Sequence, residues 1–359
     1  MKKVCMIVPS FEAKGGITTV VNGYPGSELE KHFQMRYIET YCDGSKWKKL
    51  GKAIGAYLEF LKVLLTDKPD LLHIHAAFGA SFYRKAPFVY LAYFLNVPVI
   101  LHIHGAEWSP FFSEASGAEK KWKKKIINKC SRIIVLSDEW GKKLEEATAS
   151  DKIAVVENFS AITDFEKSNT NQSTWKVLFL GFLCKRKGCF NIPDVVTKVC
   201  NEMENVTFIL AGSGEDEDYQ CLIELIQKYD CENHVDFPGW IRGKEKEELL
   251  KIADIFFLPS YAEGMPMSIL EAMGYGLPVV STTVGGIPQL VEHGVNGYLY
   301  EPGDVDGFTE GILRLLRDPE LRDRMGKAGY DRVKESFSFE AHTEKIIQLY
   351  DKVIFGESI

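Results

Sequence analysis

No two of the eight cysteines stand as a CxxC pair, in a chain of 359 residues that is not small. Cys5, Cys42, Cys130, Cys184, Cys189, Cys200, Cys221 and Cys231 are scattered, many of them in apolar runs, and read as buried free thiols in a reducing compartment. There is no HExxH helix and no Cys/His ligand pattern, so no metal is expected. No GxGxxG follows the first apolar run, and AGSGEDEDY lies on a middle strand of the second half, which argues against a dinucleotide oxidoreductase. No low-complexity tract occurs. Long apolar runs are also missing: the most apolar longer segment, Ala86 to Ile103, is divided by Asn96 and Pro98 and reads as a helix followed by a strand, not a membrane span. The N-terminal MKKVCMIVP is too short for a signal peptide and fits a first β-strand.

What is present is an ordinary soluble balance, 45% hydrophobic and 26% charged, in a chain longer than one core usually holds. The net charge of −7 is unevenly placed. Residues 1–164 carry 23 Lys/Arg against 18 Asp/Glu, and the remainder carries 20 against 32. A basic half beside an acidic half suggests different partners for each.

Short β-rich runs alternate with helical ones, the pattern of parallel sheets with crossover helices. In the first half the strands are VCMIVP, MRYIET, DLLHIHA, VPVILHIH, RIIVLS and KIAVVEN, with helices near 16–30, 47–66, 81–95, 119–130 and 139–147. The polar stretch 159–174 reads as a linker. The alternation then restarts with WKVLFLG, VTFILAG, HVDFPG, IFFLPS and LPVVST, and helices close the chain. The expected fold is α/β, two Rossmann-like parallel-sheet domains facing across a cleft. The domains are 1–164 and 175–338, with the C-terminal helix of 339–359 packing back toward the first. Ligands of such sheets bind beyond the carboxyl ends of strands, so the chemistry should sit in the loops that follow them.

Four such loops stand out. In PSFEAKGGITTVV, Gly15 and Gly16 open a helix and would let backbone amides approach an anion, though a plain turn accounts for them equally. In LHIHGAEW, His102 and His104 are taken to face opposite sides, with His104 at the strand end as the site candidate and His102 a core histidine. His73 and His75 end another strand. In FLGFLCKRKGCF, Lys185, Arg186 and Lys187 precede Gly188 and a helix, where cations oppose the dipole unless an anion sits there. A solvated charged turn is the alternative. In PSYAEGMPMSILEAMGYGLP, Ser268 to Glu271 match the capping box S-x-x-E, which explains Glu271 structurally. Glu263 has no such explanation, since a carboxylate in a Gly-Pro loop needs neither cap nor pair.

Together these loops resemble the retaining glycosyltransferases of the GT-B fold, family 4 (group 1). The resemblance spans almost the whole chain. Its most specific part is EGMPMSILEAMGYGLPVVSTTVGGIPQLVEHGVNGYL, similar to that group's E-x7-E region. The nearest look is to bacterial transferases of capsular, exopolysaccharide and O-antigen synthesis. The resemblance implies that Glu271 holds the ribose of a nucleotide and Glu263 hydroxyls of the donor sugar. The amides of Gly264, Met265, Pro266 and Met267 (proline contributing only its carbonyl) would line sugar and phosphate, and Lys187 would bind the diphosphate. Gly16 would let the first loop close over the phosphates, His104 would lie near the reacting carbon, and Trp240 and Ile241 would flank the base. One position departs: the family arginine after the loop glycine is Phe182 here, so Arg186, Lys185 or a cation elsewhere would replace it.

The implied reaction moves a hexose from UDP (GDP second) to a saccharide hydroxyl. The acceptor is expected to be lipid-linked. The front-face course retains configuration and needs no metal. Other candidates are a nucleotide-sugar epimerase of the same fold and a non-catalytic nucleotide-sugar-binding protein. A glycosidase using the two glutamates fits the cationic loop poorly. The basic, tryptophan-bearing segments Lys46–Lys52 and Lys120–Lys125 suit either an anionic bilayer or a solvated helix face. The expected place is the cytoplasm or the inner face of the cell membrane, with no nucleic acid partner.

Overall fold

The computed structural model describes residues 1–160 and 174–356. Most of the expected linker, 161–173, lies outside the described residues. The chain forms two compact units, 1–159 with 339–359, and 160–338.

The first unit is built on six parallel strands: β1 Lys2–Val8, β2 Phe33–Glu39, β3 Leu71–Ala76, β4 Val99–Ile103, β5 Arg132–Val135 and β6 Ile153–Val155. Their order is β2-β1-β3-β4-β5-β6. β1, β3 and β4 read as nearly continuous apolar runs because helices cover both faces of the sheet. Helices Lys46–Thr66, Ala80–Phe94 and Gly117–Lys129 pack side by side, the second touching both others. The C-terminal helix Phe339–Phe355 belongs to this unit and packs on β3. The single helix expected over 16–30 is two, Gly16–Val21 and Glu28–His32. Tyr24, Pro25 and Gly26 interrupt it, and Ser27 caps the second helix by accepting from Leu29 N.

The second unit holds β7 Trp175–Leu180, β8 Val206–Ala211, β9 Val235–Gly239, β10 Ile255–Leu258, β11 Val279–Thr282 and β12 Gly297–Tyr300, also parallel, in the order β12-β11-β10-β7-β8-β9. Sequence pattern misses β12. It is four residues long and opens on Gly297, where a Cβ would lie 2.1 Å from the Val279 carbonyl oxygen. Close approach of two backbones dictates the glycine that hid the strand.

In the first sheet the order reverses between β1 and β3, and in the second between β7 and β10. At such a switch point two loops leave in opposite directions and open a crevice beyond the carboxyl ends of the strands. In the second unit those loops are 181–188 after β7 and 259–266 after β10, the third and fourth loops singled out above.

All eight cysteines are free, five of them buried. Burial pushes the thiols of Cys5, Cys130 and Cys189 up to about 12, so they stay protonated and inert at neutral pH. Among the described residues no helix is long and apolar enough to cross a membrane.

Candidate active site

The two switch-point loops of the second unit are bound to each other before any side chain is considered. Tyr261 N donates to the Arg186 carbonyl at 2.8 Å. The Arg186 guanidinium returns a bond to the Ala262 carbonyl at 3.0 Å. Gly188 sits at φ 74°, and a Cβ there would lie 1.9 Å from the Pro259 carbonyl oxygen. Only glycine allows this approach, because the obstacle is backbone and the conformation is left-handed.

The approach brings Lys187 to Glu263. The ammonium donates to Glu263 Oε1 at 2.6 Å, and Ser260 Oγ donates to the same oxygen at 2.6 Å. The side chains are 14% and 6% exposed, so this is a buried ion pair. Glu263 therefore does have a partner, contrary to expectation. A carboxylate in a Gly-Pro loop needs none when exposed, but a buried one does.

The capping box is also corrected. Helix Met267–Gly274 begins one residue earlier than expected, with Pro266 at its N-cap and no side-chain cap bond. Ser268 is its second residue. Pro266 takes the N-cap position that the capping box would give to Ser268, and proline brings no side-chain acceptor. The first turn contains no acid, so the N-terminus keeps its partial positive charge beside the Lys187–Glu263 pair. Glu271 accepts instead from Lys246 Nζ at 2.8 Å, on helix Lys244–Ile252. Lys246 is a site neighbour that the sequence reading missed, since the contact spans 25 residues with no local pattern.

The remaining candidates of this unit divide. Gly264, Met265 and Pro266 are buried in the loop itself, and the Gly264 carbonyl accepts from Gly286 N at 2.6 Å. Arg186 is committed to the loop contact, whereas Lys185 is exposed. Phe182 is itself exposed at the loop. Trp240 is 38% exposed and follows the left-handed Gly239 at the end of β9, with Ile241 half-buried beside it. β9 lies two strands from β7, away from the switch point.

In the first unit Gly15 has φ 128° and ψ 164°, a region reserved for glycine, and precedes the six-residue helix that begins at Gly16. Both glycines are exposed. His104 is half-buried at the carboxyl end of β4. The expectation that His102 and His104 face opposite sides is wrong: residues two apart on a strand share a face. Their rings stack with centroids 4.1 Å apart. His73 and His75 join them, and His75 Nδ1 lies 2.9 Å from His104 Nε2, one ring donating and the other accepting. Tyr350 pairs with His73, and His342 with Tyr24 at 2.9 Å. Burial holds His73 down to about 3 and His342 to about 4, and it holds His75, His102 and His104 well below the usual imidazole range. His104 is therefore a neutral hydrogen-bonding group.

His73, His75 and His102 each bring a nitrogen within 4.8 Å of the others. Tetrahedral ligands about 2.1 Å from zinc would have to converge on one point, with nitrogens roughly 3.4 Å apart. Here the rings of His73 and His102 lie face to face, 5° from parallel, an arrangement of stacking more than of ligation.

Two Rossmann-like units, the second with a cation and a carboxylate at its switch point, are the layout of the GT-B fold. The profile "Glycosyl transferases group 1" matches residues 160–332, and "Glycosyltransferase Family 4" matches residues 14–160. The chain belongs to this family of glycosyltransferases, enzymes that take sugar from a nucleotide sugar. It is 26% identical to the Escherichia coli UDP-Gal:alpha-D-GlcNAc-diphosphoundecaprenol alpha-1,3-galactosyltransferase, covering 92% of this chain and 86% of that one. It is 32% identical to the N-acetyl-alpha-D-glucosaminyl L-malate synthase of Bacillus anthracis over 46% of this chain and 42% of that one. Among solved structures, sucrose-phosphate synthase from Thermosynechococcus elongatus superposes with a TM-score of 0.81 at 18% identity, covering 99% and 100% of the two chains. Anabaena HepE with UDP-glucose gives 0.80 at 20% identity, covering 98% and 100%.

Proposed function

We propose that the chain is a retaining hexosyltransferase that uses a UDP sugar, with GDP as the second choice, and a lipid-linked saccharide acceptor in cell-surface polysaccharide synthesis. One observation carries the chemistry: a buried Lys187–Glu263 pair beside an uncapped helix N-terminus at a topological switch point. The relative that names UDP-Gal and a diphosphoundecaprenol-linked sugar supports donor and acceptor class.

Departure of a nucleoside diphosphate needs positive charge where the leaving oxygen becomes negative. Lys187 has three donor directions and spends one on Glu263, so it can reach a phosphate while Ser260 keeps its bond to the carboxylate. Exposed Lys185 and the amides at Met267 add to the same field, so the leaving group is stabilised without a metal. Glu263 positions hydroxyls of the sugar and Glu271 those of the ribose. Neutral His104 serves as a hydrogen-bond partner of the sugar, Gly15 and Gly16 give the phosphates backbone amides, and Trp240 with Ile241 flanks the base. The bond from the anomeric carbon to phosphate breaks, and the bond to the acceptor oxygen forms on the same face. The acceptor proton passes to the departing phosphate oxygen.

The test is transfer from UDP-hexoses to a polyprenyl-diphosphate-linked sugar, with product configuration read by NMR. Retention and an absolute need for acceptor are expected. An inverted linkage refutes the front-face course, and an altered free sugar formed from donor alone points to an epimerase.

A further inference from the structure

Helix Lys46–Thr66 has two apolar faces, and only one is covered. Ala53, Ala56, Phe60, Val63 and Leu64 are buried against the first unit. Trp47, Leu50, Ile54, Leu58, Leu61 and Leu65 point outward, from 40% exposed at Leu61 to 81% at Trp47. Their spacing of three and four residues places them in one stripe, and 18 steps at 1.5 Å make it about 27 Å long. A chance scatter of surface leucines does not form such a line, and contiguous exposed apolar surface of this size marks an interaction site.

The helix carries five lysines, Lys46, Lys48, Lys49, Lys52 and Lys62, against a single acid, Glu59. Lys52 is paired with Glu39 and Lys49 lies over the Tyr41 ring, while Lys46, Lys48 and Lys62 are exposed. The patch does not end with the helix. Helix Ala80–Phe94 packs beside it and exposes Tyr83, Tyr93 and Phe94. Beyond that, helix Gly117–Lys129 exposes Lys121, Lys124 and Lys125. Its Lys129 ammonium sits 3.3 Å from the centre of the Tyr93 ring.

We infer that this three-helix face is a docking surface for an anionic lipid bilayer, with the stripe of helix Lys46–Thr66 buried among the acyl chains and the flanking lysines on the headgroups. An apolar stripe bordered by lysines, with a tryptophan at one end, is the form of a helix that lies in the membrane interface. Charge decides against a second copy of this chain as the occupant, because self-association would bring the same lysines together. The lysine segments alone suit a bilayer or plain water equally, and the exposed stripe supplies the apolar half that distinguishes them. The inference does not depend on the proposed reaction, and its test reads binding, not turnover.

The full chain is to be sedimented with vesicles of phosphatidylcholine alone and of phosphatidylcholine mixed with phosphatidylglycerol, beside Leu58→Ser/Leu65→Ser and Lys46→Glu/Lys48→Glu variants. These positions are exposed, so the variants should melt like the parent. The parent should bind the anionic vesicles, and the serine pair should lower partitioning at least about tenfold, since two leucines no longer leave water. The lysine reversal should abolish the preference for anionic lipid, and Trp47 emission should shift to the blue on binding, a shift that Trp47→Phe removes. Three outcomes overturn the inference: binding indifferent to lipid charge, binding unchanged in the serine pair, or self-association that the serine pair abolishes without any vesicle binding.

Discussion

Lys187 and Glu263 hold each other in a region from which water is nearly excluded, and each is stable there only because of the other. Removing one partner of a buried pair leaves an uncompensated charge, so Lys187→Ala should destabilise the protein by about 3 kcal/mol. Chemical denaturation of the variant checks this. Lys187→Ala/Glu263→Gln should recover much of that loss, since no charge is left unpaired. Turnover separates the roles: Glu263→Gln should lower kcat with a smaller effect on donor KM, whereas Lys187→Ala should weaken donor binding. Equal loss of both parameters in both variants contradicts the division of labour.

The histidines of the first unit set an acid limit at the same scale. His73, His75, His102, His104 and His342 are neutral when folded, with values below the ordinary 6.5. Between those values and 6.5 the unfolded chain binds more protons than the folded one. Stability is thus fully present above about pH 6.5 and falls as pH drops, by about 1.4 kcal/mol per pH unit for each histidine still neutral in the fold. Melting temperature followed from pH 7.5 to 4.5 should therefore decline from near 6.5, well before carboxylates titrate. A plateau down to pH 5 is inconsistent with five imidazoles held neutral in the fold.

At the scale of elements, the active loops depend on one glycine. Gly188→Ala forces a Cβ against the Pro259 carbonyl at a left-handed position, which should cost about 3 kcal/mol and separate the loops carrying Lys187 and Glu263. Loss of stability together with donor binding is the expected result, measured by calorimetry with and without UDP.

Among the described residues, eleven of the twelve strands are legible in the sequence because buried parallel strands read as continuous apolar runs. Gly297 conceals the twelfth. The loops were equally legible, since strand ends and glycines mark them. What sits inside them was less so. The sequence shows Glu263, Glu271 and three cations, but the pairs Lys187–Glu263 and Lys246–Glu271 join residues 76 and 25 apart. No local rule connects such residues, whereas the capping box is a local rule that Pro266 overrode. The stripe on helix Lys46–Thr66 was hidden for a different reason. Its lysines and tryptophan stand out in the sequence, but a helix apolar on two faces shows no clean amphipathic period, so nothing in the sequence separates its outer leucines from its buried ones.

At the scale of the whole molecule, the chain belongs to an enzyme family defined by sugar transfer, and the second unit carries a cation, a carboxylate and a helix N-terminus in the loops of one topological switch point. The central claim is that Lys187 holds the donor diphosphate without help from a metal. A ligand that binds only the folded state raises the melting temperature, so on the proposed function UDP should raise it here. The direct measurement is this thermal shift in EDTA, in the parent and in Lys187→Ala. A clear shift in the parent that is lost in Lys187→Ala is predicted. The same shift in both proteins, or no shift until a divalent cation is added, would contradict it.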